Sequence, residues 1–160
     1  MSTSSRTPVA ERELTFVRTF DAPRELVFSM WTEAKHLAQW WGPHHFDNPV
    51  CVAEARAGGP ILIHMRGPDG NVHVMGGAYV EITPYTRIVF TTSVDDNGVR
   101  LLEGHNVVTF DDVGGKTKMT LQSKVSGFAE IAKMMVGGFE AGWTQSLEKL
   151  DAVIRSRHSR

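Results

Sequence analysis

Cysteine is almost absent from this chain, and so are the signatures that name a chemistry outright. Among 160 residues Cys51 stands alone, within the apolar run Val50-Cys51-Val52. One thiol forms no internal disulfide, and in an apolar setting it behaves as a small hydrophobe. No stretch approaches the roughly 20 apolar residues that span a bilayer. Neither sign of charge prevails, with 17 Lys and Arg against 18 Asp and Glu, so the electrostatic footprint of a nucleic-acid or anionic-membrane partner is missing. There is no phosphate-cradling glycine loop, dinucleotide fingerprint or nucleophile elbow; Gly58-Gly59 and Gly137-Gly138 are isolated pairs. His44-His45 lacks the i, i+4 spacing and the Cys or Asp partners of a zinc site. We therefore expect no metal and no cofactor. The polar stretch Met1 to Arg12 carries no apolar signal core, and the compartment reads as cytoplasmic.

What is present suffices for one domain, expected over 13–156, with a loosely ordered tail over 1–12 and another over 157–160. A chain of this length buries roughly 70% of its unfolded surface without disulfides or metals, and a monomer or weak homodimer is expected. Leu14 and Phe16 alternate in a first strand from Glu13 to Phe20. Asp21-Ala22-Pro23 opens a short helix with the stripe Val27, Met30, Trp31. Thr32 is the expected cap of a second one, carrying Ala34, Leu37, Ala38 and Trp41 before Gly42-Pro43 stops it. Six strand candidates follow: Val50–Ala55, Ile61–Arg66, Val72–Thr83, Arg87–Val94, Gly104–Asp111 and Lys116–Val125. Pro68-Asp69-Gly70, Asp96-Asn97-Gly98 and Gly114-Gly115 supply tight-turn chemistry between them, which implies an antiparallel meander.

The last third predicts one long helix, Phe128 to Ile154, with Ile131, Met134/Met135, Phe139, Trp143, Leu147, Leu150 and Val153/Ile154 at a period near 3.6. Beside the aromatics on that face run Gly138, Gly142 and Ser146. Two glycines inside a helix cost roughly 1 kcal/mol each relative to Ala. The space they leave serves either close approach to a sheet or a ligand. A single antiparallel sheet followed by a long helix packs economically with the helix in a curved face and the short helices closing one end, and an internal cavity is natural there.

The residues Phe20-Asp21-Ala22-Pro23, Val27-Phe28, Trp31-Thr32, Leu37 and Trp40-Trp41-Gly42-Pro43 resemble the opening of the START-like (SRPBCC) superfamily. Within it the chain most resembles the branch named after the activator of heat-shock protein 90 ATPase. Gly58-Gly59, Met65 to Gly70, Gly77 to Phe90, Gly142-Trp143 and Leu147 to Leu150 extend the likeness over roughly Leu14 to Ile154. The resemblance implies an α+β helix-grip fold: a seven-stranded antiparallel sheet around a long C-terminal helix, with two short helices after strand 1. It implies much less about activity, since the superfamily includes lipid carriers, polyketide cyclases and chaperone activators.

The leading expectation is a binding site for a small hydrophobic or aromatic molecule between sheet and helix. Its candidate residues are Trp40 and Trp41, one of them at the mouth, His73, Met75, Tyr79, Glu81 and Phe90 from the strands, and Met134, Met135, Gly138, Phe139, Gly142 and Trp143 from the helix. Adjacent on a helix, Trp40 and Trp41 should point in different directions, one inward and one half-covering the surface. Glu81 shares strand parity with Gly77 and Tyr79 and is either a carboxylate in the pocket or the ion-pair partner of Arg87. No catalytic residue is assigned. A cyclase- or dehydratase-like enzyme is the first alternative, needing polar groups from His64, His73, His105, Tyr79 and Glu81 to converge. A chaperone-activating interaction module is the second, with Trp40, Trp41 and Pro43 exposed toward a heat-shock chaperone.

Overall fold

In the computed structural model, residues 7–158 are described. Seven strands form one antiparallel sheet: β1 (Ala10–Phe20), β2 (Asp47–Ala53), β3 (Pro60–Arg66), β4 (Val72–Thr83), β5 (Arg87–Asp96), β6 (Val99–Val113) and β7 (Lys116–Gly127). Their spatial order is β1-β7-β6-β5-β4-β3-β2. β2 to β7 is thus a meander, and β1 closes against β7 from Ala10↔Gly127 to Phe20↔Thr117. This α+β helix-grip arrangement is the one the element order and the resemblance imply. The turns form where the sequence puts them: Gly70 has φ 85°, Asn97 and Gly98 have 52° and 79°, and Gly114 and Gly115 have 62° and 90°. Paired positive φ in two-residue loops matches the twist of the flanking strands.

The helices are α1 (Arg24–Thr32), α2 (Ala34–Trp40), α3 (Ala132–Gly137) and α4 (Phe139–His158). All lie on one face, which buries alternate residues of each strand. On β7 these are Thr117, Met119, Leu121, Ser123 and Val125, as period two requires.

Four expectations need correction here. The single helix from Phe128 is two: β7 runs on to Gly127, and the helical stretch breaks at Gly138, whose φ −89° and ψ 3° leave helical geometry. Consecutive glycines make that break cheap. Thr32 does not cap α2; it ends α1, with its hydroxyl donating to the Phe28 carbonyl, and Glu33 stands at the junction. The sheet starts at Ala10 and α4 runs to His158, so structure begins earlier and ends later than 13–156. The tail residues 1–6 and 159–160 lie outside the described residues. Lastly, the expected internal cavity is nearly closed, for a reason that lies in the tryptophans.

Candidate functional site

Four tryptophans arrive at the inner face from three helices. Trp31 ends the stripe of α1, Trp40 ends α2, Trp41 follows it, and Trp143 comes from α4. Ring centroids lie 4.6 Å apart for Trp31 and Trp40, 5.3 Å for Trp41 and Trp143, and 6.0 Å for the stacked pair Trp31 and Trp143. Phe90 of β5 approaches Trp31 and Trp41 at 6.1 and 6.2 Å, and Phe139 meets Trp143 edge-on at 6.5 Å. Such offset and edge contacts each add about 0.5–1.5 kcal/mol beyond area burial.

Trp40 and Trp41 both turn inward, against the expectation that one would lie at the surface. Trp41 has already left the helix, with φ −65° and ψ 137°. The helical offset of about 100° between neighbours therefore does not apply to this pair. What remains between Trp31, Leu37, Trp41, Ile61, Tyr79 and Phe90 is a void of about 10 Å³. That is the space of one water at most, whereas small-molecule sites usually have about 300–1,000 Å³. In this state the aromatic side chains occupy the cavity themselves.

Polar groups around the void are few. Tyr79 donates its hydroxyl to the Trp31 carbonyl at 2.8 Å, and burial pushes its phenol well above the ordinary range. Trp40 Nε1 donates to the Met30 carbonyl at 3.0 Å. Trp31 Nε1 is buried and has no partner. Next to Phe90 across the sheet, Asn106 donates to the Phe90 carbonyl at 3.3 Å and accepts from Ser123 Oγ at 2.5 Å.

The other candidates scatter. Met75 is buried on the same face as Tyr79. Met134 and Met135 are not in the site. Met134 is 82% exposed beside Ile131, because the inward positions of α3 are Ala132 and Val136. Glu81 lies on the outer face, since the register shifts between Tyr79 and Glu81, and it takes Arg87 as partner at 3.3 Å. An extra residue in one strand reverses every later side chain, and the strict alternation assumed from sequence missed it. His73 is exposed at the rim, 6.1 Å from the Phe46 ring. His64 and His105 follow outward-facing parity, so the three histidines do not converge. Among the described residues no three His, Cys, Asp or Glu side chains gather as a metal site.

The two glycines of the small-residue column do not serve close packing, and of its three members only Ser146 is buried, while Gly138 lies exposed outside the site. A Cβ on Gly142 would meet nothing within 4 Å, and one on Gly138 only backbone oxygens at 3.7 and 3.9 Å. Close approach occurs instead at Gly127, where a Cβ would lie 2.8 Å from that of Ala132.

Sequence reasoning missed two groups. Trp31 looked like one more residue of an amphipathic stripe. Lys149, which reads as an ordinary surface charge, donates to four carbonyl oxygens of the loop after α2. A larger depression, about 530 Å³, opens on the outer face around Arg100, His105 and Lys124. Its cations Arg100 and Lys124 already pair with Asp95, Glu103 and Glu11, so it offers no uncompensated positive charge to a ligand.

Residues 21–155 match the family described as Activator of Hsp90 ATPase homolog 1-like protein. Among solved structures, a protein of Chromobacterium violaceum is similar at 26% identity, covering 89% of this chain and 96% of its own, with a TM-score of 0.76. The AHSA1 protein of Silicibacter pomeroyi is similar at 25% identity, 92% and 100% coverage and a TM-score of 0.77. A protein of Arthrobacter aurescens stands at 25% identity, 95% and 94% coverage and a TM-score of 0.78. No curated protein matches the chain. No helix among the described residues is long and apolar enough to cross a membrane.

Proposed function

The chain belongs to the Activator of Hsp90 ATPase homolog 1-like family, and from that premise we propose that it binds a small aromatic or hydrophobic molecule between sheet and α4, as a carrier or sensor. Membership alone does not choose this function. The observation that carries it is the Trp31 indole N–H, buried without a partner in the wall of an aromatic cage. An unsatisfied buried donor costs about 1–3 kcal/mol. The 10 Å³ void between Trp31, Leu37, Trp41, Ile61, Tyr79 and Phe90 has almost wholly apolar walls, whereas buried waters usually have about three polar partners. An aromatic ligand carrying a carbonyl or ether oxygen supplies the missing acceptor and stacks on the surrounding rings. Entry requires the cage to part, and Trp41 and Trp143 at its rim are the rings to move.

The test is titration of the intrinsic tryptophan fluorescence with naphthalene and 2-acetylnaphthalene, alongside native mass spectrometry for a co-purified molecule. The ketone should bind up to about tenfold tighter, the yield of one net hydrogen bond. Trp31→Phe should abolish that preference while keeping affinity for the hydrocarbon. If neither compound perturbs the fluorescence and no added mass is carried, the binding reading falls.

The alternatives have less support. For a cyclase-like enzyme, no acid or base among Glu81, His64 and His105 faces the void. For a chaperone-binding role, Trp40 and Trp41 are interior, and Ile131, Met134 and Met135 would have to serve instead. A cytoplasmic setting belongs to the same proposal, since it keeps a lone thiol reduced; cell fractionation tests it.

A further inference from the structure

The loop joining α2 to β2 gathers oxygen. Lys149 of α4 brings its ammonium into it and donates to the carbonyls of Trp41 at 3.4 Å, Gly42 at 3.2 Å, Pro43 at 3.2 Å and Phe46 at 3.3 Å. An ammonium has three N–H groups, so four acceptors oversubscribe it. The loop folds back with Gly42 at φ 94° and His45 at φ 72°. Neighbours on α4 hold the same loop. Gln145 Oε1 accepts from the His44 backbone N–H at 3.0 Å, and Glu148 meets His44 Nε2 at 2.9 Å.

From the strand side Asn48 Nδ2 donates to the carbonyls of Ala38 and Trp41, both at 2.9 Å, while its Oδ1 is buried without a partner. Flipping the amide would set its oxygen against two carbonyls, so the excess of acceptors is a property of the site. Burial pulls the Lys149 ammonium below its ordinary range, and the Asp47 carboxylate acts the other way. A solvated surface lysine needs none of these partners. A ring of backbone oxygens around a compact charge is instead the chemistry of a monovalent-cation site.

We propose that the loop 41–46 is a monovalent-cation cradle filled by the chain's own Lys149, which makes Lys149 a positioning residue for the Trp41 wall of the aromatic cage. The Trp41 carbonyl is bound by Lys149 while its ring packs on Trp143, so one helix holds both ends of that residue. Asn48 also holds the Trp41 carbonyl, so removing Lys149 loosens the extended backbone that turns the ring inward, chiefly through the freed carbonyls of Gly42, Pro43 and Phe46. The link to ligand entry rests on the binding reading above; the cradle itself does not.

The experiment uses the whole chain with Lys149→Met, which keeps an apolar stem, and Lys149→Ala, which vacates the site. Far-UV circular dichroism checks folding, and acrylamide quenching of tryptophan fluorescence reads the wall. Both variants should quench more than wild type, and neither should add quenching in a Trp41→Phe background. Propylammonium, which supplies the atoms missing from Lys149→Ala, should restore shielding in that variant but not in Lys149→Met. Propanol at equal concentration should do nothing, whereas potassium chloride should restore part of the shielding in Lys149→Ala, since a ring of carbonyl oxygens takes a bare monovalent cation. If Lys149→Met shields its tryptophans like wild type, or propanol rescues as well as propylammonium, the cradle is only packing and the proposal is overturned. Should Lys149→Ala fail to fold, Lys149→Met against wild type still decides. None of these readouts needs a ligand, so a failure of the binding reading stays distinguishable.

Discussion

Cys51 shows what burial does to a single residue. It lies on the inner face of β2 opposite Ile63, and desolvation pushes its thiol up to about 11. Thiolate is the reactive form, so iodoacetamide should label the folded protein slowly at pH 8 and reach ordinary rates only in urea. Rapid labelling under native conditions would mean β2 is open. The stability consequence has a definite sign. Between the ordinary value of 9.0 and about 11 the unfolded chain loses this proton first. The folded state then binds more protons, and stability falls as pH rises through that window. Urea titrations at pH 8.5 and 11 should show a decline that Cys51→Ala reduces. Trp143 belongs to the same scale: in contact with Trp31, Trp41 and Phe139, it should cost about 3–5 kcal/mol when truncated to Ala. A loss under about 1 kcal/mol would put the ring outside the core.

At the scale of elements, two glycines make opposite predictions. Gly142 is inside α4 with open space where a Cβ would go. Gly142→Ala should be neutral or stabilise by up to about 1 kcal/mol through helix propensity. Gly127 ends β7 beneath α3, with the Ala132 Cβ at 2.8 Å and Val136 Cγ2 at 3.2 Å from an added carbon. Neither neighbour has a flexible end to yield, so Gly127→Ala should cost about 1–3 kcal/mol. Thermal or urea melts of the two variants check the contrast. Equal effects would mean that α3 does not seat on β7. The break at Gly138 lets α3 press Ala132 and Val136 onto the sheet while α4 follows a different line toward α2.

For the whole molecule, the tryptophans join three helices to one sheet. Trp fluorescence and far-UV circular dichroism should therefore report one coincident unfolding transition, as two-state behaviour requires. An earlier fluorescence change would mean the helical layer separates before the sheet melts. The exposed edge at β2 carries Pro49 and a register shift between Asp47 and Val50. Both features blunt edge-to-edge pairing.

The sequence by itself determined where strands begin and turn, because turn chemistry is local: Asn97-Gly98 and Gly114-Gly115 accept positive φ wherever they stand. Period two and period 3.6 likewise identified the strands, the short helices and the apolar face of α4. Facing was legible only where regular geometry continued undisturbed. One bulge carried Glu81 to the outer face, one step out of helix turned Trp41 inward, and the stop at Gly138 left Met134 in water. The first two are departures of a single residue and the third a separate seating of α3, and side-chain direction inverts or rotates with each while composition and period barely change. Lys149 left no trace in the pattern at all. Its partners are backbone carbonyls, and these exist at every position of every sequence until tertiary structure turns four of them toward one point.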